Sequence, residues 1–259
     1  MTIDMSTTRT DLALESVQAA CSGAETGTIS GVRSRERTRE GYAVTDIRVE
    51  DEDGAQALGK PVGRYVTVDL GPYFRREADY FDRGVRCLAG ELAALLPEGP
   101  VLAAGLGNRA MTCDAVGPAS IDNLLVTRHM IRAMPRQFAD FRPVAAVCPG
   151  VLARTGLEAL ELVRGAVERV RPAAVIAVDA LAARDSARLC ATVQLSDTGL
   201  VPGSGVGNRR SALDRGTLGV PVIAAGIPTL MDADPRAWLF PPPRAVDPRG
   251  LALGRLPGY

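Results

Sequence analysis

The fold turns on VLAAGLGNRAMTCDAVGPASIDNLLVTRH, residues 101–129. Its first four residues, Val101-Leu102-Ala103-Ala104, are an uninterrupted apolar run, as expected of a strand buried on both faces. The run breaks at Gly105-Leu106-Gly107-Asn108, passes through the polar turn Met111-Thr112-Cys113-Asp114, and resumes as a helical pattern from about Gly117. Open α/β sheets place their sites beyond the carboxyl ends of parallel strands, where such a glycine turn delivers a carboxylate just ahead of a helix. Asp114 is therefore the first candidate catalytic residue.

Working outward, the spacing predicts a helix over 118–134, a second buried strand over 143–150, and a helix over 157–170 ended by Arg171-Pro172. A third apolar strand over 173–179 ends in Asp179, and shorter runs follow at 191–195 and 221–226. Strands alternating with helices over 100–232 predict an α/β fold: three layers, with a mostly parallel sheet covered by helices. Upstream, alternation over 42–49 and 64–70 predicts a β-rich N-terminal extension, with Asp51-Glu52-Asp53-Gly54 as an acidic turn between the strands. A helical period follows over 74–96, with Phe81, Val85, Leu88, Leu92 and Leu95 on one face, and Pro97 and Gly99 stop it. Residues 1–28 read as a mobile leader, 29–233 as a single domain, and 234–259 as a Pro/Gly-rich, poorly ordered tail.

Composition narrows the function. Thirty basic residues offset thirty acidic ones, so net charge points to neither nucleic acid nor an anionic membrane surface. Lys60 is the only lysine, and coding bias accounts for the preference for arginine. Five scattered cysteines without a C-x-x-C disfavour a disulfide framework and a thiolate zinc site. No stretch is long and apolar enough to span a bilayer, and residues 1–16 carry no signal-peptide core, so a soluble intracellular protein is expected.

Asp114 and Asp179 both fall at or just past a strand end, on one expected sheet edge. Two carboxylates brought together in a partly dry site share a proton: the ionised one can take a proton from water, and the protonated one can polarise a carbonyl. The commoner role of a strand-end aspartate is an N-cap for the next helix. Asp197-Thr198-Gly199 is a tripeptide that pepsin-like aspartic proteases use twice; here it occurs once, in an α/β order, and Asp197 reads as site-lining. His129 is the only histidine, so any serine or cysteine scheme must use it, and no serine or cysteine sits in a nucleophile-elbow setting. Gly203-Ser204-Gly205-Val206-Gly207-Asn208 lacks the G-K-[ST] ending of a phosphate loop and suits backbone approach to an extended peptide equally well.

Several motifs closely resemble the germination protease family, spore endopeptidases that degrade small acid-soluble spore proteins. They are Gly105-Leu106-Gly107-Asn108, Thr112-x-Asp114-Ala115-x-Gly117-Pro118, Asn123 through His129, Ala177 through Arg184, Ser196-Asp197-Thr198-Gly199, and Pro202 through Asn208, within a match over most of residues 9–233. The resemblance implies an atypical aspartic endopeptidase with a fold akin to hydrogenase-maturation proteases, needing no metal or other cofactor. Its two essential aspartates match Asp114 and Asp179. Gly105, Gly107, Asn108, Thr112, Arg184, Asp197, Gly203, Ser204 and Gly205 are expected to line the site.

The resemblance also implies a zymogen that removes its own leader. Thr10-Asp11-Leu12-Ala13-Leu14-Glu15 is similar to the family's self-cleavage site, with Asp11–Leu12 as the bond cut. A cytoplasmic homotetramer in the spore core is expected, with spore proteins as substrates and no direct contact with nucleic acid or membrane. The family's usual chain continues past residue 233 with a helical segment, where this sequence has a Pro-rich tail. Two alternatives stand beside this reading: a metal-assisted hydrolase of the hydrogenase-maturation type, and a truncated paralogue that binds spore proteins without cutting.

Overall fold

The structure, a computed structural model, describes residues 10–22, 29–203 and 210–231. In chain order the elements are helix α1 (Ala13–Ser22), strands β1 (Val32–Arg39) and β2 (Tyr42–Val49), helix α2 (Glu52–Leu58), strand β3 (Gly63–Asp69), and helices α3 (Gly71–Phe74) and α4 (Tyr80–Ala93). Then come β4 (Val101–Gly105), α5 (Val116–Asp122), α6 (Arg128–Ala133), β5 (Val144–Val147), α7 (Leu152–Thr155), α8 (Ala159–Val170), β6 (Ala174–Ala183), β7 (Thr192–Ser196), α9 (Arg215–Leu218) and β8 (Val222–Met231).

The strands form one eight-stranded sheet in the order β1-β2-β3-β7-β8-β6-β4-β5. β8, β6, β4 and β5 run parallel, which is why their sequences are apolar runs rather than alternations. The N-terminal strands are not a separate layer. They extend the same sheet in antiparallel fashion, joined to β8 through β7.

Alternation along the strands splits the core onto two faces. On one face, Leu102, Ala104, Val175 and Ala177 pack against Leu160, Val163 and Val167 of α8. On the other, Val66, Val68, Val193 and Leu195 pack against Cys87, Leu88 and Leu92 of α4. α1 and α2 cover Ile47, Val49 and Tyr65 with Ala13, Val17 and Leu58. Helices thus lie on both sides of the sheet.

Four local departures from the sequence expectations have physical causes. The helix expected over 118–134 is two short ones, because Thr127 between them serves edge strand β5: its hydroxyl accepts from the Val144 amide and donates to the Arg142 carbonyl. The acidic turn at 51–54 opens α2, with the Asp51 side chain capping the Gly54 amide and acids in the first turn complementing the helix dipole. On α4, Phe81 and Val85 are exposed, and the inward face carries Cys87 and Glu91. Glu91 is buried because Arg37 (2.5 Å) and Arg39 (3.2 Å) from the arginine-rich edge strand β1 neutralise it there, an arrangement no apolar period signals.

Finally, β6 and β8 run on past the expected 179 and 226, to Ala183 and Met231. A register shift between Leu181 and Ala182 marks where β6 projects beyond the parallel core. That projecting end carries the candidate site.

Candidate active site

Two glycines place Asp114. Gly107 adopts φ +107°, and a Cβ there would stand 2.2 Å from the Asp114 carbonyl oxygen. Gly117 lets α5 close directly onto the strand ends: a Cβ at that position would lie 2.2 Å from the Leu106 oxygen and 2.4 Å from the Val178 oxygen. Between them Thr112–Asp114 forms a single 3-10 turn. The Asn108 amide donates to Asp114 Oδ2 (2.8 Å), and Thr229 on β8 donates to the Cys113 carbonyl (2.6 Å). The turn is thereby tied over the carboxyl ends of β4, β6 and β8. Gly105 also faces this packing, since a Cβ there would meet the Gly117 oxygen at 2.4 Å.

Asp179 comes from β6, level with Gly226 of β8. It is 7% exposed, and its Oδ1 accepts from the Ala180 amide (2.9 Å). Burial pushes its carboxyl up to about 7; the Ala180 amide opposes this, and the negative charges of Asp114 and Asp11 add to it. Asp114 and Asp11 therefore each lie within electrostatic reach of Asp179.

Asp11 belongs to a segment laid along the projecting end of β6. Its amide donates to the Ala182 carbonyl (2.9 Å), and its carboxylate accepts from the Ala182 amide (2.8 Å). Leu12 has no solvent exposure and packs on Leu181 and Ala183; burying a leucine contributes about 1.5–3 kcal/mol. Glu15 is 2% exposed, yet its carboxylate is fully engaged: it accepts from the Arg184 amide (2.7 Å), the Asp185 amide (3.0 Å) and the Thr10 hydroxyl. The Arg184 guanidinium also donates to the Glu15 carbonyl (2.6 Å).

Two further side chains reach this segment, and sequence reasoning missed both. Gln194 on β7 donates from Nε2 to the Asp11 carbonyl (2.9 Å) and accepts at Oε1 from the Ala13 amide (2.7 Å). Lys60, half-buried, donates from Nζ to the Thr10 carbonyl (2.9 Å). Burial lowers the Lys60 pKa, and Asp11 and Glu15 oppose that shift. The one available signal was that Lys60 is the sole lysine.

The other expected residues divide. Asn108 and Arg184 make the contacts just described, and Thr112 is exposed on the turn. Asp197 is not brought to this edge. It lies three residues beyond Gln194, at the far end of β7, exposed and accepting from the Arg64 amide (2.7 Å). Gly203 closes the described part of its loop, and Ser204 and Gly205 lie outside the described residues. His129 is exposed on α6. Among the described residues, no three His, Cys, Asp or Glu side chains group as a metal-ligand set, and no helix is long and apolar enough to cross a membrane.

Comparison with known proteins agrees with the motifs. The pattern of one peptidase family, described as germination protease, matches residues 9–236. Germination proteases of Caldanaerobacter subterraneus subsp. tengcongensis, Bacillus cytotoxicus and Clostridium perfringens are 46%, 42% and 42% identical over 229, 233 and 230 residues. Each alignment takes in 87% of this chain, which spans 69%, 63% and 70% of the respective relatives. The chain belongs to the germination protease family.

Proposed function

We propose that the chain is an aspartic-type endopeptidase that uses Asp114 and Asp179, cuts its own leader at Asp11–Leu12, and degrades small acid-soluble spore proteins. One observation carries this reading. The segment with the substrate-like sequence Thr10-Asp11-Leu12-Ala13-Leu14-Glu15 is docked on β6, the strand that carries Asp179, by hydrogen bonds between Asp11 and Ala182 and between Glu15 and Arg184.

A carboxyl that keeps its proton to about pH 7 suits a hydrogen-bond donor to a peptide carbonyl. The base role then falls to Asp114. It takes a proton from a water whose oxygen bonds to the Asp11 carbonyl carbon, while Asp179 donates to the carbonyl oxygen. Collapse of the tetrahedral adduct breaks the bond from Asp11 carbon to Leu12 nitrogen, and that nitrogen leaves with the proton Asp114 collected. One water is consumed. Titration belongs to the pair rather than to either member.

The test is intact-mass measurement of the full chain over time, beside digestion of purified small acid-soluble spore proteins. Asp114→Asn and Asp179→Asn should each abolish both loss of residues 1–11 and substrate cutting. Undiminished cutting by either variant overturns the assignment. With the reading go the homotetrameric assembly and spore-core location that the resemblance implies, which sedimentation and spore fractionation test.

A further inference from the structure

Gln194 holds the docked segment by backbone atoms alone. Its amide group spans Leu12, bonding the Asp11 carbonyl on one side and the Ala13 amide on the other. Amide orientation is set by the partners, because a carbonyl can only accept and a backbone N–H can only donate. At 8% exposure, Gln194 makes both bonds with little competition from water. One peptide upstream, Lys60 takes the Thr10 carbonyl (2.9 Å), and the Asp11 amide is held by Ala182. Four consecutive residues, Thr10 to Ala13, are therefore fixed through backbone groups or, at Leu12, through burial against Leu181 and Ala183.

We propose that Gln194 and Lys60 form a backbone clamp for the peptide being cut, with Gln194 Nε2–H stabilising the oxyanion that develops on the Asp11 carbonyl oxygen. The inference rests on reading Asp11–Leu12 as the scissile bond. As water adds to the carbonyl carbon, the π pair moves onto the oxygen that Nε2–H already meets at 2.9 Å. When the carbon–nitrogen bond breaks, that pair returns to the carbonyl, and Gln194 neither gains nor loses a proton. A carbonyl oxygen has two lone pairs, so the Nε2–H and the Asp179 proton can serve it together. Gln194 is a catalytic residue in this scheme, and Lys60 is a positioning residue. Because the clamp reads backbone, it serves equally a peptide supplied in trans that is extended up to the bond and helical after it, as α1 is from Ala13, with an apolar residue after the bond and an acid three residues further on for the Arg184 and Asp185 amides.

The test uses the full chain and a synthetic peptide containing Thr-Asp-Leu-Ala-Leu-Glu, with melting temperatures to verify folding. Gln194→Met, which lacks the donor, should lower kcat by about 10²–10³, the loss typical of one oxyanion donor. Gln194→Glu keeps an acceptor for the Ala13 amide and should leave its hydrogen-exchange protection in place. Measured against the wild type at each pH, its cutting should be equally slow at pH 8 and partly recover toward pH 5, as a protonated carboxyl regains a donor. Lys60→Met should raise KM about tenfold, the loss of one charged hydrogen bond, with kcat changed far less.

Failure of the two readings separates cleanly. If the wild type cuts at Asp11–Leu12 and folded Gln194→Met cuts as fast, the clamp is wrong and the protease reading stands. A raised KM with unchanged kcat in Gln194→Met overturns the oxyanion assignment. If the wild type cuts neither itself nor the peptide at this bond, the protease reading fails and takes the clamp with it. Should Gln194→Met not fold, Gln194→Glu carries the same comparison.

Discussion

Asp179 and Gln194 stand in one row of the sheet with only Gly226 between them. Asp179 is in register with Gly226 on β8, and Gly226 is in register with Gln194 on β7. Register partners project to the same face, so at 226 no side chain stands between a carboxylic acid and an amide, and the Leu181 side chain packs over the glycine. Gln194 bonds the Asp11 carbonyl and Leu12 packs on Leu181, which puts the Asp11–Leu12 segment over this row.

Gly226 makes the room that the Leu181 side chain occupies. In Gly226→Ala the new Cβ would lie 2.6 Å from Leu181 Cγ and 2.8 Å from the Asp179 carbonyl oxygen. Leu181 must move, and it is the surface on which Leu12 rests. The expected outcome is a stability loss of about 1–3 kcal/mol in urea melts and cutting at Asp11–Leu12 slowed more than stability alone explains. Wild-type cutting by folded Gly226→Ala would remove Gly226 from this account.

Asp179 makes stability depend on pH with a definite sign. Its folded pKa of about 7 is above the ordinary 3.8, so the folded protein binds the extra proton and stability falls as pH rises from about 4 through about 7. Asp179→Asn removes the buried charge. Its melting temperature should exceed the wild type's at pH 8 and match it near pH 4, the gap being at most about 4 kcal/mol at ~1.36 kcal/mol per pK unit. Self-cutting by the wild type should decline as pH rises through about 7, when the donor proton is lost. A pH-independent difference between the two proteins would sink the assignment.

Gly117 should matter for cutting more than for folding. Gly117→Ala pushes against two backbone oxygens, at 2.2 and 2.4 Å, that cannot swing aside as a flexible side chain would. The turn carrying Asp114 must lift. A displacement near 1 Å can cost about 10²-fold in rate, against a stability loss of about 1–3 kcal/mol. Rate and stability measured on one preparation decide it: equal activity in a stable Gly117→Ala protein would show that Asp114 is held some other way.

Glu91 is a stability residue remote from the cut. Arg37 holds its carboxyl below the usual carboxylate range through a hydrogen bond, opposed by burial and aided by Arg39. Glu91→Ala should cost about 3–5 kcal/mol, the loss expected when one partner of a buried pair is removed, with the rate of cutting unchanged at temperatures where the variant is folded. Since the folded pKa is depressed, this contribution is present above about pH 4.5 and fades as pH falls through the lower folded value. The gap between variant and wild type should therefore narrow in acid. A constant gap from pH 3 to pH 8 would contradict the ion-pair account.

Strands and candidate site residues were legible where the cause is local. Val101 to Gly105 reads as a strand because an apolar run ending at glycine has few other solutions, and Asp114 and Asp179 read as candidates because each follows such a run. Gln194 was not legible. In Thr192-Val193-Gln194-Leu195-Ser196 it looks like any polar position in an alternating strand, and its partners lie 183 and 181 residues away. Asp197 shows the converse. Its tripeptide drew it toward the site, yet the antiparallel run of β7 carries it away from the edge that holds Asp179. Glu91 was hidden because an apolar period cannot mark a buried acid that draws its neutralising arginines from another strand.

By itself the amino-acid order determined most of the strands, the glycines that let turns close on strand ends, the two candidate carboxylates and the substrate-like Thr10-to-Glu15 segment. Each follows from backbone sterics and periodicity within a few residues. Tertiary structure alone decided that β7 inserts between β3 and β8, that the segment lies on the projecting end of β6, and that Lys60 and Gln194 meet it. Those contacts depend on strand order and register, which bring together groups that chain distance keeps apart.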